Sequence, residues 1–179
     1  MFYDELKGHI EALLFVNGEP LSVNRLADIM KIDKENVEDL LMKLKHDMDN
    51  SNRGLTIIKV AGGYQLCTKP ELSTIIEQLA QVVEPKLSVP ALETLSIIAF
   101  RQPVTKQEIE AVRGVRVDRV LTTLQERTLI QEVGRKEVIG RPILYGTTDE
   151  FLKCFGLDSI NDLPELPEQV LKESAEEYV

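Results

Sequence analysis

The feature that most constrains this 179-residue chain is an internal repeat. Thr105 stands 83 residues after Ser22, the same offset that separates Pro103 from Pro20. In both places a helical stripe ends in a proline turn, a hydrophobe follows, and a hydroxyl residue opens the next helix. Two segments obeying one layout point to a duplicated unit.

The first copy opens with Phe2, Leu6, Ile10, Leu13 and Leu14 on one helical face, ending at Asn17-Gly18-Glu19-Pro20. Ser22 is placed to cap a second helix burying Leu26, Ile29 and Met30. Asp33 can cap a third, with Val37, Leu40, Leu41, Leu44 and Met48 inward. Asn50-Ser51-Asn52-Arg53-Gly54 stops that helix. The period then changes from 3.6 to 2, and Leu55 to Val60, Ala61-Gly62-Gly63 and Tyr64 to Thr68 predict a β-hairpin. A further helix is expected from about Glu71 to Val83, with Leu72, Ile75, Ile76 and Leu79 inward, leading to a linker at Glu84-Pro85-Lys86.

From Ser88 the pattern returns. A helix carrying Leu92, Leu95, Ile98 and Ala99 ends at Arg101-Gln102-Pro103. Thr105-Lys106-Gln107-Glu108 reads as a capping box opening a helix that buries Ile109 and Val112 and stops at Gly114. A third helix is expected from Val117 to Arg127 with Val120, Leu121 and Leu124 inward, then strands at Leu129 to Val133 and Ile143 to Thr147. Three helices followed by a hairpin is the winged-helix order. The fold class is therefore mainly α with small β-hairpins, as two tandem winged-helix, or helix-turn-helix, domains. The boundaries are 1–84 and 85–156, with an acidic, proline-containing tail at 157–179 expected to be extended and then disordered.

Composition narrows the chemistry. No stretch approaches the roughly 18 apolar residues of a membrane span, and Met1-Phe2-Tyr3-Asp4-Glu5 lacks the basic start of a signal peptide, so a cytoplasmic protein is expected. Cys67 and Cys154 stand alone in apolar-alternating or amphipathic stretches and are expected as buried thiols. His9 and His46 lack metal-ligand spacing and read as helix-surface or core-edge residues. No metal, cofactor or catalytic residue is expected. Gly134 to Gly140 lacks the Gly-x-Gly-x-x-Gly and Gly-Lys-Ser/Thr patterns and joins two strands, so it reads as a hairpin connection and no phosphate loop.

Net charge is −9 but unevenly spread, at −5 over residues 1–84, +2 over 85–149 and −6 over 150–179. A winged helix most often reads DNA with its third helix. In the first unit that helix begins Asp33, Lys34, Glu35, Asn36, Val37, Glu38, Asp39, which phosphates would repel. In the second, Arg113, Arg116 and Arg119 gather near the third helix, and Arg135, Lys136 and Arg141 decorate the wing. Arginine forks suit carboxylates on a protein partner as well as phosphates, and a solvated basic face explains them without a ligand. A DNA-binding transcription regulator using the second unit stays open as the alternative.

Leu129-Ile130, Gly134-Arg135, Gly140-Arg141-Pro142, Tyr145, Thr147-Thr148, Phe151-Leu152, Phe155-Gly156-Leu157 and Leu163-Pro164 closely resemble bacterial segregation and condensation protein B. The likeness extends to Arg113-Gly114-Val115 and to Ile10-Glu11-Ala12-Leu13-Leu14-Phe15 with Glu19-Pro20-Leu21. Thr128 departs from it, since glycine is expected before Leu129. The resemblance implies a non-enzymatic adaptor of the bacterial condensin complex, serving chromosome condensation, segregation and cell division. It implies a homodimer paired through the first unit. The second unit is then expected to grip the kleisin, the subunit that bridges the heads of the chromosome-organising ATPase. Direct DNA contact is not expected, and nucleoid association comes through the complex. The candidate partner-binding residues are Arg113, Arg116, Arg119, Arg135, Arg141 and Tyr145.

Overall fold

The computed structural model describes residues 2–79 and 87–165. It divides into two compact units, Met1–Pro85 and Lys86–Val179. Among the described residues no helix is long and apolar enough to cross a membrane.

The first unit runs α1 (Phe2–Asn17), α2 (Val23–Met30), α3 (Lys34–Asp49), β1 (Leu55–Val60), β2 (Gly63–Thr68), a 3₁₀ turn at Pro70–Leu72 and α4 (Ser73–Leu79). The Ser22 hydroxyl accepts from the Arg25 amide at 3.3 Å and starts α2. Asp33 sits in the extended conformation of a cap, but its carboxylate makes no capping bond. Its carbonyl accepts the first intrahelical bond from Val37 at 3.1 Å. The hairpin turns over Ala61 and Gly62, both at positive φ (49° and 72°), the pairing that fits the right-handed strand twist.

Ile10, Leu14, Leu26, Val37, Leu40, Leu41, Met48 and Ile57 form the core between the helices and the hairpin. Leu21 pairs with Tyr64, exchanging bonds of 2.9 and 2.8 Å, and so ties the α1–α2 connection to the hairpin. Gly63 makes this close approach possible, since a Cβ there would stand 2.9 Å from the Leu21 carbonyl carbon.

The second unit comprises α5 (Val89–Arg101), β3 (Val104–Thr105), α6 (Lys106–Arg113), α7 (Asp118–Glu126), β4 (Ile130–Arg135), β5 (Ile143–Thr147), α8 (Asp149–Phe155) and a 3₁₀ turn at Ile160–Asp162. Its antiparallel sheet has the order β3-β5-β4, with an irregularity between Glu132 and Gly134. Leu95, Ile98, Ile109, Leu121, Leu124, Ile130 and Phe151 are core residues. Val104 pairs with Tyr145 as Leu21 pairs with Tyr64, and Val104 follows Leu21 at the offset of the repeat. The mainly helical chain with small antiparallel sheets thus uses three helices and then a hairpin in both units.

Several expectations change. None of Leu72, Ile75, Ile76 and Leu79 is buried, and Ile75 and Leu79 are 65% and 86% exposed, because α1–α3 and the hairpin already enclose the core. Residues 80–83 of that expected helix lie outside the described residues. On α2 the buried residues are Leu26 and Ala27, and Ile29 faces outward. On α5, Leu92 is exposed while Ala91 and Thr94 turn inward, the Thr94 hydroxyl donating to the Pro90 carbonyl at 2.9 Å. Val112 is also on the surface, at the end of an eight-residue helix that sends only Ile109 into the core. Cys67 is half-buried and burial raises its thiol pKa. Cys154 is exposed, because α8 turns Phe151 inward. The segment from Leu157 is folded as far as Leu163: Leu157, Ile160 and Leu163 pack on the second core, and the Asp162 carboxylate accepts from the Ser159 amide at 2.8 Å. Three apolar side chains at 3-residue spacing outweigh the acidic character there. Residues 166–179 of the expected tail lie outside the described residues.

Candidate partner interface

The first turn of α6 organises the basic face of the second unit. Its capping box is complete: the Glu108 carboxylate accepts from the Thr105 amide at 2.8 Å and the Thr105 hydroxyl receives the Glu108 amide at 3.3 Å. Lys136, just past β4, donates to the same carboxylate at 2.5 Å. The hydrogen bond from Lys136, with those from Thr105, holds the Glu108 pKa down at about 2.

Lys106 pairs with Asp118 at the start of α7 and with Glu110 at 3.7 Å, and the Glu110 carboxylate accepts from the Val117 amide at 3.1 Å. The bond to Asp118 raises the Lys106 pKa and lowers that of Asp118. One helical turn therefore anchors both α7 and the wing.

Four of the six candidate residues lie on this surface. Arg116 and Arg119 are exposed at the entry to α7 and on its first turn. Arg135 donates to the Arg141 carbonyl at 3.1 Å, and Arg141 reaches Glu137 at 3.0 Å, so these two share the β4–β5 hairpin. The other two do not belong to it. Arg113 is only 15% exposed and is committed to an ion pair with Glu93 on α5. Tyr145 is buried in the second core, its strand position opposite Val104 turning the ring inward, and burial raises its pKa.

The same hairpin also carries Val138 and Ile139, which the sequence reading places only in the connection between the strands. Val138 is half exposed and Ile139 fully exposed, between Lys136 and Arg141. In the sequence they stand out as an apolar pair inside a loop otherwise made of glycine, proline and charged residues.

The first unit differs in character. Asp33, Lys34, Glu35, Asn36 and Glu38 are exposed along α3, and Phe15, Val16, Met42, Ile75 and Leu79 add exposed apolar surface. An open groove of about 740 Å³ is lined by residues including Lys45, Asp49, Arg53, Thr56, Lys69 and Leu72. Several of its polar groups bond to one another. Lys45 and Thr56 donate to the Asp49 carboxylate and lower its pKa, while Lys69 donates to the Ser51 carbonyl at 2.9 Å. Among the described residues no group of three His, Cys, Asp or Glu side chains is placed to hold a metal ion.

The family described as segregation and condensation complex subunit ScpB matches residues 8–166. The segregation and condensation protein B of Moorella thermoacetica is 52% identical over 165 residues, covering 92% of this chain and 85% of that protein. The crystal structure of ScpB from Mycobacterium tuberculosis is similar at 35% identity and a TM-score of 0.43, covering 87% of this chain and 97% of that one. A dimer of the ScpB N-terminal domain complexed with a ScpA peptide matches 44% of this chain and 99% of its own, at 25% identity and a TM-score of 0.43.

Proposed function

The chain belongs to the segregation and condensation complex subunit ScpB family, and from that premise we propose that it is a condensin accessory subunit working as an adaptor without catalysis. Two copies pair through the first unit. The second unit holds the kleisin, and through it the dimer joins the chromosome-organising ATPase in the cytoplasm, on the nucleoid.

The observation that carries this reading is the span of the family match, which takes in both copies of the repeat. Physical features support it. Each unit has only about 80 residues, a size at which a single core leaves little stability to spare, so association is a natural supplement. The exposed apolar residues Phe15, Val16, Ile75 and Leu79 give the first unit surface for pairing. In the second unit Lys136, Arg141 and Lys106 each already meet a carboxylate, an arrangement better suited to exchanging carboxylates with a protein than to receiving a phosphate backbone.

The test is capture of the kleisin by the tagged full chain from its own cell lysate after nuclease treatment. Retention of the kleisin with nucleic acid removed supports the adaptor. Loss of the kleisin on nuclease treatment, with salt-sensitive binding of the purified chain to duplex DNA, points instead to a DNA-binding regulator.

A further inference from the structure

The second hairpin carries side chains that its own fold does not use. The loop between β4 and β5 is closed by main-chain bonds, Lys136 donating to Pro142 and Arg141 to Val138, each at 2.9 Å. Gly140 supplies the turn at a φ of 86°. Such a loop needs glycine and polar residues, yet Val138 and Ile139 stand at its tip facing solvent. One exposed apolar residue is ordinary; an adjacent β-branched pair on an ordered finger flanked by Arg135, Lys136 and Arg141 is an amphipathic contact surface.

We infer that this hairpin tip, Val138 and Ile139 with Arg135 and Arg141, is a docking finger for an acidic polypeptide segment that carries an apolar side chain, supplied by the kleisin. The inference rests on the adaptor reading and names the element of the second unit that makes the contact. Charge complementarity selects the occupant. Of its three cations, Lys136 is held by Glu108 and Arg141 by the exposed Glu137, while Arg135 bonds only to a main-chain carbonyl. An incoming carboxylate therefore meets Arg135 and replaces Glu137 on Arg141, while the apolar pair is covered by the partner's side chain. A nucleic acid backbone offers no apolar side chain to cover Val138 and Ile139.

The experiment measures binding of the purified full-length kleisin from the same genome by the full chain, by Val138→Ser/Ile139→Ser and by Arg135→Gln/Arg141→Gln. A photo-crosslinking residue at position 139 supplies a second readout. Covering a valine and an isoleucine is worth about tenfold or more in affinity, and two charge-assisted contacts about as much, so each double variant should bind at least tenfold more weakly with an unchanged melting temperature. The crosslink should fall on a kleisin segment containing aspartate or glutamate. Affinities within twofold of the unsubstituted chain would overturn the inference and leave the adaptor reading standing. A crosslink to duplex DNA or to a second copy of the chain would also overturn it. No binding of kleisin by the unsubstituted chain would sink both.

Discussion

Lys136 donates to Glu108 over 2.5 Å, joining the wing of the second unit to the helix start that its own capping box secures. The carboxylate is about half exposed, yet its pKa lies at about 2 against an ordinary 4.5. A depressed carboxylate stabilises the fold above its unfolded value, and the stabilisation is lost as pH falls through the folded one. Glu108→Gln should therefore be less stable than the unsubstituted chain by about 1 kcal/mol at neutral pH, allowing for solvent screening. Denaturant titrations should show that gap shrinking below pH 4.5 and closing near pH 2.

Thr128 sits at a φ of 54°, where a β-branched residue is strained, and its carbonyl accepts from the Thr148 hydroxyl. The resemblance led to an expectation of glycine here, and the backbone explains it. Thr128→Gly keeps the carbonyl and releases the strain, so it should stabilise the second unit by about 0.5–1 kcal/mol, a rise of a few degrees in Tm.

Arg113 and Glu93 hold α6 to α5, and the Arg113 Nε is buried with no hydrogen-bond partner. Removing Glu93 leaves the buried Arg113 uncompensated, whereas an apolar residue in place of Arg113 fills the buried site and leaves only the half-exposed Glu93, which water solvates. Glu93→Ala should lose about 1–2 kcal/mol, below the range for fully buried pairs because Glu93 is half exposed. Arg113→Met should stay within about 1 kcal/mol of the unsubstituted chain and bind kleisin within twofold. A large loss of kleisin binding by a stably folded Arg113→Met would return this residue to the interface.

Gly63 faces the Leu21 backbone so closely that an added Cβ would stand 2.9–3.0 Å from its N, C and O atoms. Backbone cannot step aside as a flexible side chain can. Gly63→Ala should cost about 1–3 kcal/mol, read as a lower denaturant midpoint with faster amide exchange at Leu21 and Tyr64.

What the sequence disclosed was whatever is local. Ser22, the Thr105–Glu108 box and the Ala61–Gly62 turn all act within a few residues, so their chemistry is visible without the fold. Non-local features were hidden. Strand β3 is two residues long and shows no alternation, and only its pairing with Leu144 and Tyr145 defines it. The stripe on α4 has helical spacing but reaches no buried position, since periodicity reports a face and not what covers it. Tyr145 looked available for the same reason, as its neighbours Ile143 and Leu144 are also apolar and give no sign of which side is inward. Ile139 reads as part of the hairpin connection, but its full exposure is a property of the folded loop that the sequence does not state. The adaptor role came from the resemblance of specific residues; the fold alone is equally at home on DNA.

The most direct test of the account is the light-scattering mass of the purified full chain with and without purified kleisin from the same genome, in the absence of nucleic acid. The account predicts a dimer of the 20.2 kDa chain alone and a single heavier species containing both proteins after mixing. A monomer that elutes apart from the kleisin at tens of micromolar would contradict it.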